Sequence, residues 1–177
     1  MSKTTAKLIS DYLFSDNRFF VYAVLDGASV PDLLEALYRE QPEYFCLYRG
    51  ELEPDIAEVA PYLVWLTPDS RFTNWLLEEG WGKSWGVFAL SGFDLVSIRR
   101  HFRSLLVVHD GDGKPLYFRF YDPRVLRRFL PTCDKKELKK IFGHVESYII
   151  ESENAKEAIQ YHNANGTLKQ NKIRLMN

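Results

Sequence analysis

Only two cysteines occur in 177 residues, Cys46 and Cys133, far apart and in no metal-binding or redox spacing. That leaves no disulfide framework to read and predicts free, buried thiols in a reducing compartment. No apolar run approaches the ~18 residues of a membrane span. The opening Met-Ser-Lys-Thr-Thr-Ala-Lys leads into polar and charged residues, not the apolar core of a signal peptide. The expectation is a soluble, cytoplasmic protein with no membrane partner. Net charge is nearly absent at −1, which argues against a chain built chiefly for nucleic acid. Internal repeats and low-complexity tracts are missing too.

Catalytic signatures are equally scarce. There is no Gly-x-Ser-x-Gly elbow, and neither cysteine has a recognisable catalytic neighbourhood. His101, His109, His144 and His162 show no spacing of two ligands on one helical face, and a surface position is expected for His109. His109 and Asp110, adjacent on a strand, point to opposite faces. Gly80-Trp81-Gly82-Lys83-Ser84 ends like a phosphate loop, but Leu77 stands where its first glycine belongs. Its context is helix, loop, strand, the reverse of what a phosphate cradle needs, so a tight turn is expected. Asp110-Gly111-Asp112-Gly113 lacks the later oxygen ligands of a calcium loop and reads as a hairpin turn. No catalytic, metal or cofactor residue is assigned, and the chain is expected not to be an enzyme.

Apolar residues at 46% and aromatics at 15% suffice for a full core, and the length suits one domain. The charge that is present is unevenly placed. Residues 26–58 carry nine acids against two bases, and residues 119–140 carry eight bases against three acids. These are two solvated faces or two oppositely charged docking surfaces.

Strands are expected at residues 19–25, 44–48, 62–66, 84–90 and 145–150, the first buried on both faces and central in its sheet. Residues 105–109 and 116–121 flank the Asp-Gly pairs and form a late β-hairpin. Residues 3–14 suit a short helix or an extended lead-in. Further helices are expected from Ser29 and Pro31, from Thr67 and Pro68, from Asp94, and from Asp134, whose Glu137 completes a capping box. Residues 49–54 read as a turn. Alternating strands and helices predict an α/β fold, a single domain with a mixed β-sheet flanked by helices. Residues 1–151 form its core. Residues 152–177 are expected to add a C-terminal helix, on Ala155, Ala158, Ile159 and His162, and a basic tail that includes Met176.

The most informative stretch is Leu116–Leu130. Leu116, Phe118 and Phe120 alternate with Tyr117, Arg119 and Tyr121, and the period then changes at Asp122-Pro123. Asp122 suits a helix N-cap and Pro123 the first helical position, so this is a strand–helix corner. Arg119 and Arg124 are expected to brace it around Asp122. Trp81, between two glycines in a loop, is a candidate interface residue.

Phe118-Arg119-Phe120-Tyr121-Asp122-Pro123-Arg124-Val125-Leu126 resembles the signature of the adaptor-chaperone family of type VI secretion systems. Four more stretches resemble that family in its order: Tyr22–Gly27, Cys46–Gly50, Ala60–Val64 and Trp81–Gly86. The resemblance implies a non-enzymatic cytoplasmic adaptor that binds one secreted effector protein and helps place it on the VgrG spike protein. The family's core is often followed by a variable region linked to effector choice, and here residues 152–177 follow Glu151. Partner-binding candidates are Arg49, Glu51, Glu53, Trp81, Arg119, Tyr121 and Arg124, with Asp122 and Pro123 as the structural corner. On the residues alone, the basic 119–140 stretch also suits another protein- or nucleic-acid-binding module, and an enzyme would need a pocket with convergent polar groups.

Overall fold

Val21, Ala23 and Leu25 of β1 (Phe20–Asp26) pack into one core cluster, while Tyr22 and Val24 pack into another. Successive strand side chains point to opposite faces, so a strand apolar from Phe20 to Leu25 demands cover on both sides. The computed structural model, which describes residues 3–109 and 111–175, supplies that cover as two helical layers.

Helix α1 (Lys3–Leu13) precedes β1. After β1 come α2 (Leu33–Glu40), β2 (Tyr44–Cys46), α3 (Pro54–Val59), β3 (Pro61–Leu66), α4 (Arg71–Gly80) and β4 (Gly86–Ser91). They are followed by α5 (Leu95–Leu105), β5 (Val107–His109), β6 (Pro115–Tyr117), α6 (Pro123–Phe129), a 3-10 turn (Leu130–Thr132) and α7 (Lys135–Phe142). The chain then forms β7 (Ser147–Glu151), β8 (Glu157–Ala164) and β9 (Thr167–Arg174). Seven strands form one sheet in the order β2-β3-β1-β4-β7-β8-β9, and β5 and β6 form a separate hairpin. One face is covered by α1, α2 and α4 through Ile9, Leu37 and Phe72. The other is covered by α5, α6 and α7 through Phe102, Leu126 and Ile141.

The α/β class, the single domain, the flanking helices and the late hairpin are as expected. The mixed sheet is not: every strand pair among the described residues is antiparallel. Alternation of strands and helices predicts crossovers, yet β3 and β4 each return beside β1 in the opposite direction.

The expected C-terminal helix and basic tail are instead the hairpin β8–β9. Ala155, Ala158, Ile159 and His162 have helix-like spacing, but a strand with Ala158 buried on one face and Ile159 and Tyr161 on the other fits the apolar pattern equally. Asn165 and Gly166 decide between the two, with φ of 54° and 89° in a two-residue turn. Positive φ at both central positions is the hairpin geometry that Asn-Gly favours.

Smaller differences have local causes. Helix α2 begins after Asp32, because the Ser29 hydroxyl donates to Asp26 at 2.7 Å and is not a cap. Ser70, not Thr67, caps α4. The expected turn at 49–54 runs into α3 at Pro54. The strand expected over 116–121 ends at Tyr117. Cys46 and Cys133 are free but half-buried. His109 is exposed as expected, whereas His101 is buried, with its Nε2 3.0 Å from the Ile141 carbonyl. Asp110 and Met176 lie outside the described residues.

Candidate functional site

Beneath the β5–β6 hairpin lies a groove, with the segment 47–59 forming its other wall. Leu47, Leu52 and Ile56 face Leu106, Val107 and Tyr117 across a cavity of about 610 Å³. A second cavity of about 220 Å³ shares Tyr48, Leu106 and Tyr117 and continues toward Asp26, Arg119 and Tyr121. The rim is apolar and open to solvent: Tyr117 is 83% exposed, Val59 46% and Ile56 43%. Such a continuous apolar rim suits a protein surface that is covered by a partner.

Several buried contacts shape the groove. Asp26, only 2% exposed, ends β1 and accepts from the Ser29 hydroxyl, from the Ala28 N–H at 3.3 Å and from the Arg119 guanidinium. Gly27 donates to the Ala60 carbonyl at 3.0 Å, and an added Cβ would meet the carbonyls of Ala60 and Glu58 at 2.5 Å. Close backbone approach therefore explains glycine here. The Tyr62 hydroxyl donates to the Ala57 carbonyl at 2.9 Å, tying α3 to β3.

Arg103 holds the other wall. Its guanidinium donates to the carbonyls of Cys46, Leu47 and Tyr48 at 3.0, 3.1 and 3.0 Å. Burial pulls its pKa down, helped by the nearby charges of Arg99 and Arg49. Arg99 stacks over the Phe45 ring at 4.0 Å, and its Nε is buried without a hydrogen-bond partner among the described residues. The groove is thus apolar along its length and cationic near Arg49 and Arg103.

The corner lies against the same groove. Asp122 caps α6 through the Arg124 N–H at 2.9 Å. Its two oxygens also accept from Arg124 Nε and Nη2 at 2.9 and 2.7 Å. Burial pushes the Asp122 carboxyl up, but the hydrogen bonds and charge of Arg124, with Arg119 beyond, bring it below its ordinary value. Pro123 is buried at the first helical position. Arg119 does not brace Asp122 by direct pairing; it reaches Asp26.

Among the partner-binding candidates, Arg49, Glu51 and Glu53 are exposed on the 47–59 wall. Arg119 and Arg124 are partly exposed but occupied by Asp26 and Asp122. Tyr121 is buried at 4% exposure, where burial and then its neighbour Tyr48 push its hydroxyl pKa up. Trp81 is buried at 7%, donates from its indole N–H to the Ala155 carbonyl at 3.0 Å and stacks near Phe88. Neither buried ring offers the surface expected of it. The glycines flanking Trp81 signal a turn, and the segment leading into the β8–β9 hairpin covers that turn.

The same turn holds a carboxylate. Glu151 accepts from the Gly82 N–H at 2.5 Å and from the Ser84 N–H at 2.8 Å. Burial pushes the Glu151 carboxyl up, opposed by these donors and by Arg127.

The basic 119–140 stretch divides. Arg119 and Arg124 are ion-paired, and Arg127 donates to the Glu151 carbonyl at 2.9 Å. Lys135, Lys136, Lys139 and Lys140 on α7 are exposed. Among the described residues, no group of three or more His, Cys, Asp or Glu could hold a metal ion, and no helix is long and apolar enough to cross a membrane.

Sequence reasoning missed Ile56, Val59, Arg103 and Tyr117 as groove residues. The one available signal was the Tyr-Arg-Gly at 48–50 beside a short strand. Three of the five motif stretches line this groove; Ala60–Val64 backs it through Gly27 and Ala57, and Trp81–Gly86 packs behind it, where the Trp85 carbonyl accepts from the Asp26 N–H at 2.9 Å. Comparison with curated proteins and with solved structures returns no match. A family model described as a domain of unknown function, DUF4123, matches residues 21–140, a span that contains all five stretches. The chain belongs to the DUF4123 family.

Proposed function

We propose that this protein is a non-enzymatic, cytoplasmic adaptor-chaperone that binds a type VI secretion effector and helps load it onto the VgrG spike. The observation that carries the reading is the meeting of three family-like stretches at one groove with an exposed apolar rim. The groove suits an effector segment with apolar side chains along its length and a carboxylate near Arg49 and Arg103. Covering that segment keeps it from other apolar surfaces before secretion. A second contact with the spike raises the effector's effective concentration there. Charge complementarity steers the encounter and selects the partner.

The test is an affinity pull-down of the tagged chain from its native cytoplasm, with quantitative mass spectrometry and an untagged control. The Ile56→Asp/Tyr117→Asp variant runs beside it. The expected result is enrichment of a spike protein with one toxin-like protein, and loss of the toxin-like protein from a variant with unchanged circular dichroism. Enrichment of neither protein, from cells shown to express both, would overturn the reading.

A further inference from the structure

Strand β9 ends the seven-stranded sheet, and among the described residues β8 is its single neighbour. Its eight residues contain no proline and no acid. The two-residue turn at Asn165-Gly166 fixes which backbone groups are free. Thr167 pairs with Ala164 across the turn, and the Leu175 N–H donates to the Lys156 carbonyl at 3.0 Å in the same register. Odd-numbered residues therefore bond to β8. Leu168, Gln170, Lys172 and Arg174 turn their N–H and C=O groups to the open side.

This edge is also cationic. β9 carries Lys169, Lys172 and Arg174, all exposed. Helix α7 lies at the same edge, with Leu138 and Ile141 in one cluster with Leu168. The stem of Lys135 lies against Gly166. The four exposed lysines of α7, a stretch separate in sequence, thus lie on the same side of the sheet as Lys172 and Arg174, with Lys169 on the opposite face of the strand. Lys172 pairs with Glu157 at 3.7 Å; among the described residues, none of the other six is ion-paired.

We propose that β9 is a docking edge for an extended acidic segment of a partner protein, which adds as an eighth strand. Open backbone donors and acceptors supply the pairing, and the flanking bases select acidic side chains. A second copy of the chain is a poor occupant, because pairing β9 with β9 would bring like charges together. Nucleic acid meets the charge but cannot satisfy a strand's alternating donors and acceptors. Six strand steps of about 4.8 Å place β9 about 29 Å from the β2 edge near the groove. Both surfaces can be occupied at once, as an adaptor requires. The identity of the partner rests on the adaptor reading, but the edge chemistry does not.

The test uses the full chain and a fluorescent, capped peptide of about ten residues that alternates Glu with Val and Thr. Its Lys counterpart, the Glu peptide N-methylated at successive central residues, and a single-stranded DNA oligonucleotide are run beside it at low salt. Gln170→Pro removes an outward N–H without taking a bond from β8. Expected results are binding of the Glu peptide, no binding of the Lys peptide, and at least about tenfold weakening by N-methylation and by Gln170→Pro. Failure of the Glu peptide to bind would overturn the proposal. So would binding undiminished by N-methylation, or DNA binding tighter than the peptide. The N-methylated peptide decides the matter even where the proline variant fails to fold. No effector or spike is involved, so failure here is distinct from failure of the pull-down.

Discussion

Replacing Arg119 by Met should destabilise the protein more than replacing Asp26 by Asn, although both break one ion pair. Asp26 is 2% exposed and the Arg119 side chain 47%. Removing one partner of a fully buried pair costs ~3–5 kcal/mol, whereas exposed pairs contribute ~0.2–1 kcal/mol. This pair lies between those limits. Arg119→Met keeps the stem's packing but leaves the Asp26 carboxylate buried with the Ser29 hydroxyl and the Ala28 N–H as its remaining side-chain-directed donors. The expected cost is about 2 kcal/mol. Asp26→Asn leaves no buried charge, and the freed guanidinium turns to water. The expected cost is about 1 kcal/mol, with a coupling of similar size in the double variant. Urea unfolding of all four proteins at neutral pH measures these values. A cost of Asp26→Asn equal to or above that of Arg119→Met would refute the reasoning, because the local bonds to residues 28–29 would then outweigh the pair.

Gly27→Ala should cost more than about 2 kcal/mol, since its Cβ meets two backbone carbonyls that cannot rotate away; a melting temperature within a degree or so of wild type would contradict this. Glu151→Gln should cost about 1–3 kcal/mol by turning an amide donor toward the Gly82 or Ser84 N–H, read by urea unfolding and by faster amide exchange at those positions. Asp134→Ala should cost about 0.5–2 kcal/mol by opening the capping box of α7, again read by urea unfolding. The Asp122 carboxyl is held low, so its stabilisation is present above the ordinary carboxyl range and is lost as pH falls through the lowered value. Arg124→Met should therefore be less stable than wild type at neutral pH. The gap should close as pH falls below about 4, and a constant gap from about pH 7 to about pH 3 would refute the assignment.

Much of the candidate site was legible in fragments. Asp122-Pro123 announced a helix start because capping is chemistry between neighbours: a side-chain oxygen and N–H groups two residues on. Asp134 and Glu137 announced theirs for the same reason. What joins the fragments was not legible. Nothing local says that Arg119 reaches Asp26, 93 residues earlier, rather than Asp122. Nor does anything local say that Arg103 binds three carbonyls of the segment around the end of β2.

By itself, the sequence determined the α/β class, the central place of β1, the late hairpin and the helix starts at Asp94, Asp122 and Asp134. Each depends on periodicity, turn residues or caps, which act within a few residues. Tertiary structure decided the antiparallel order, the burial of Trp81 and Tyr121, the groove and the open edge at β9. Burial is a sum over distant neighbours. Trp81 looks exposed until residue 155 arrives to accept from its indole. Residues 155–162 look helical until the sheet takes them in and a two-residue turn returns β9 beside them.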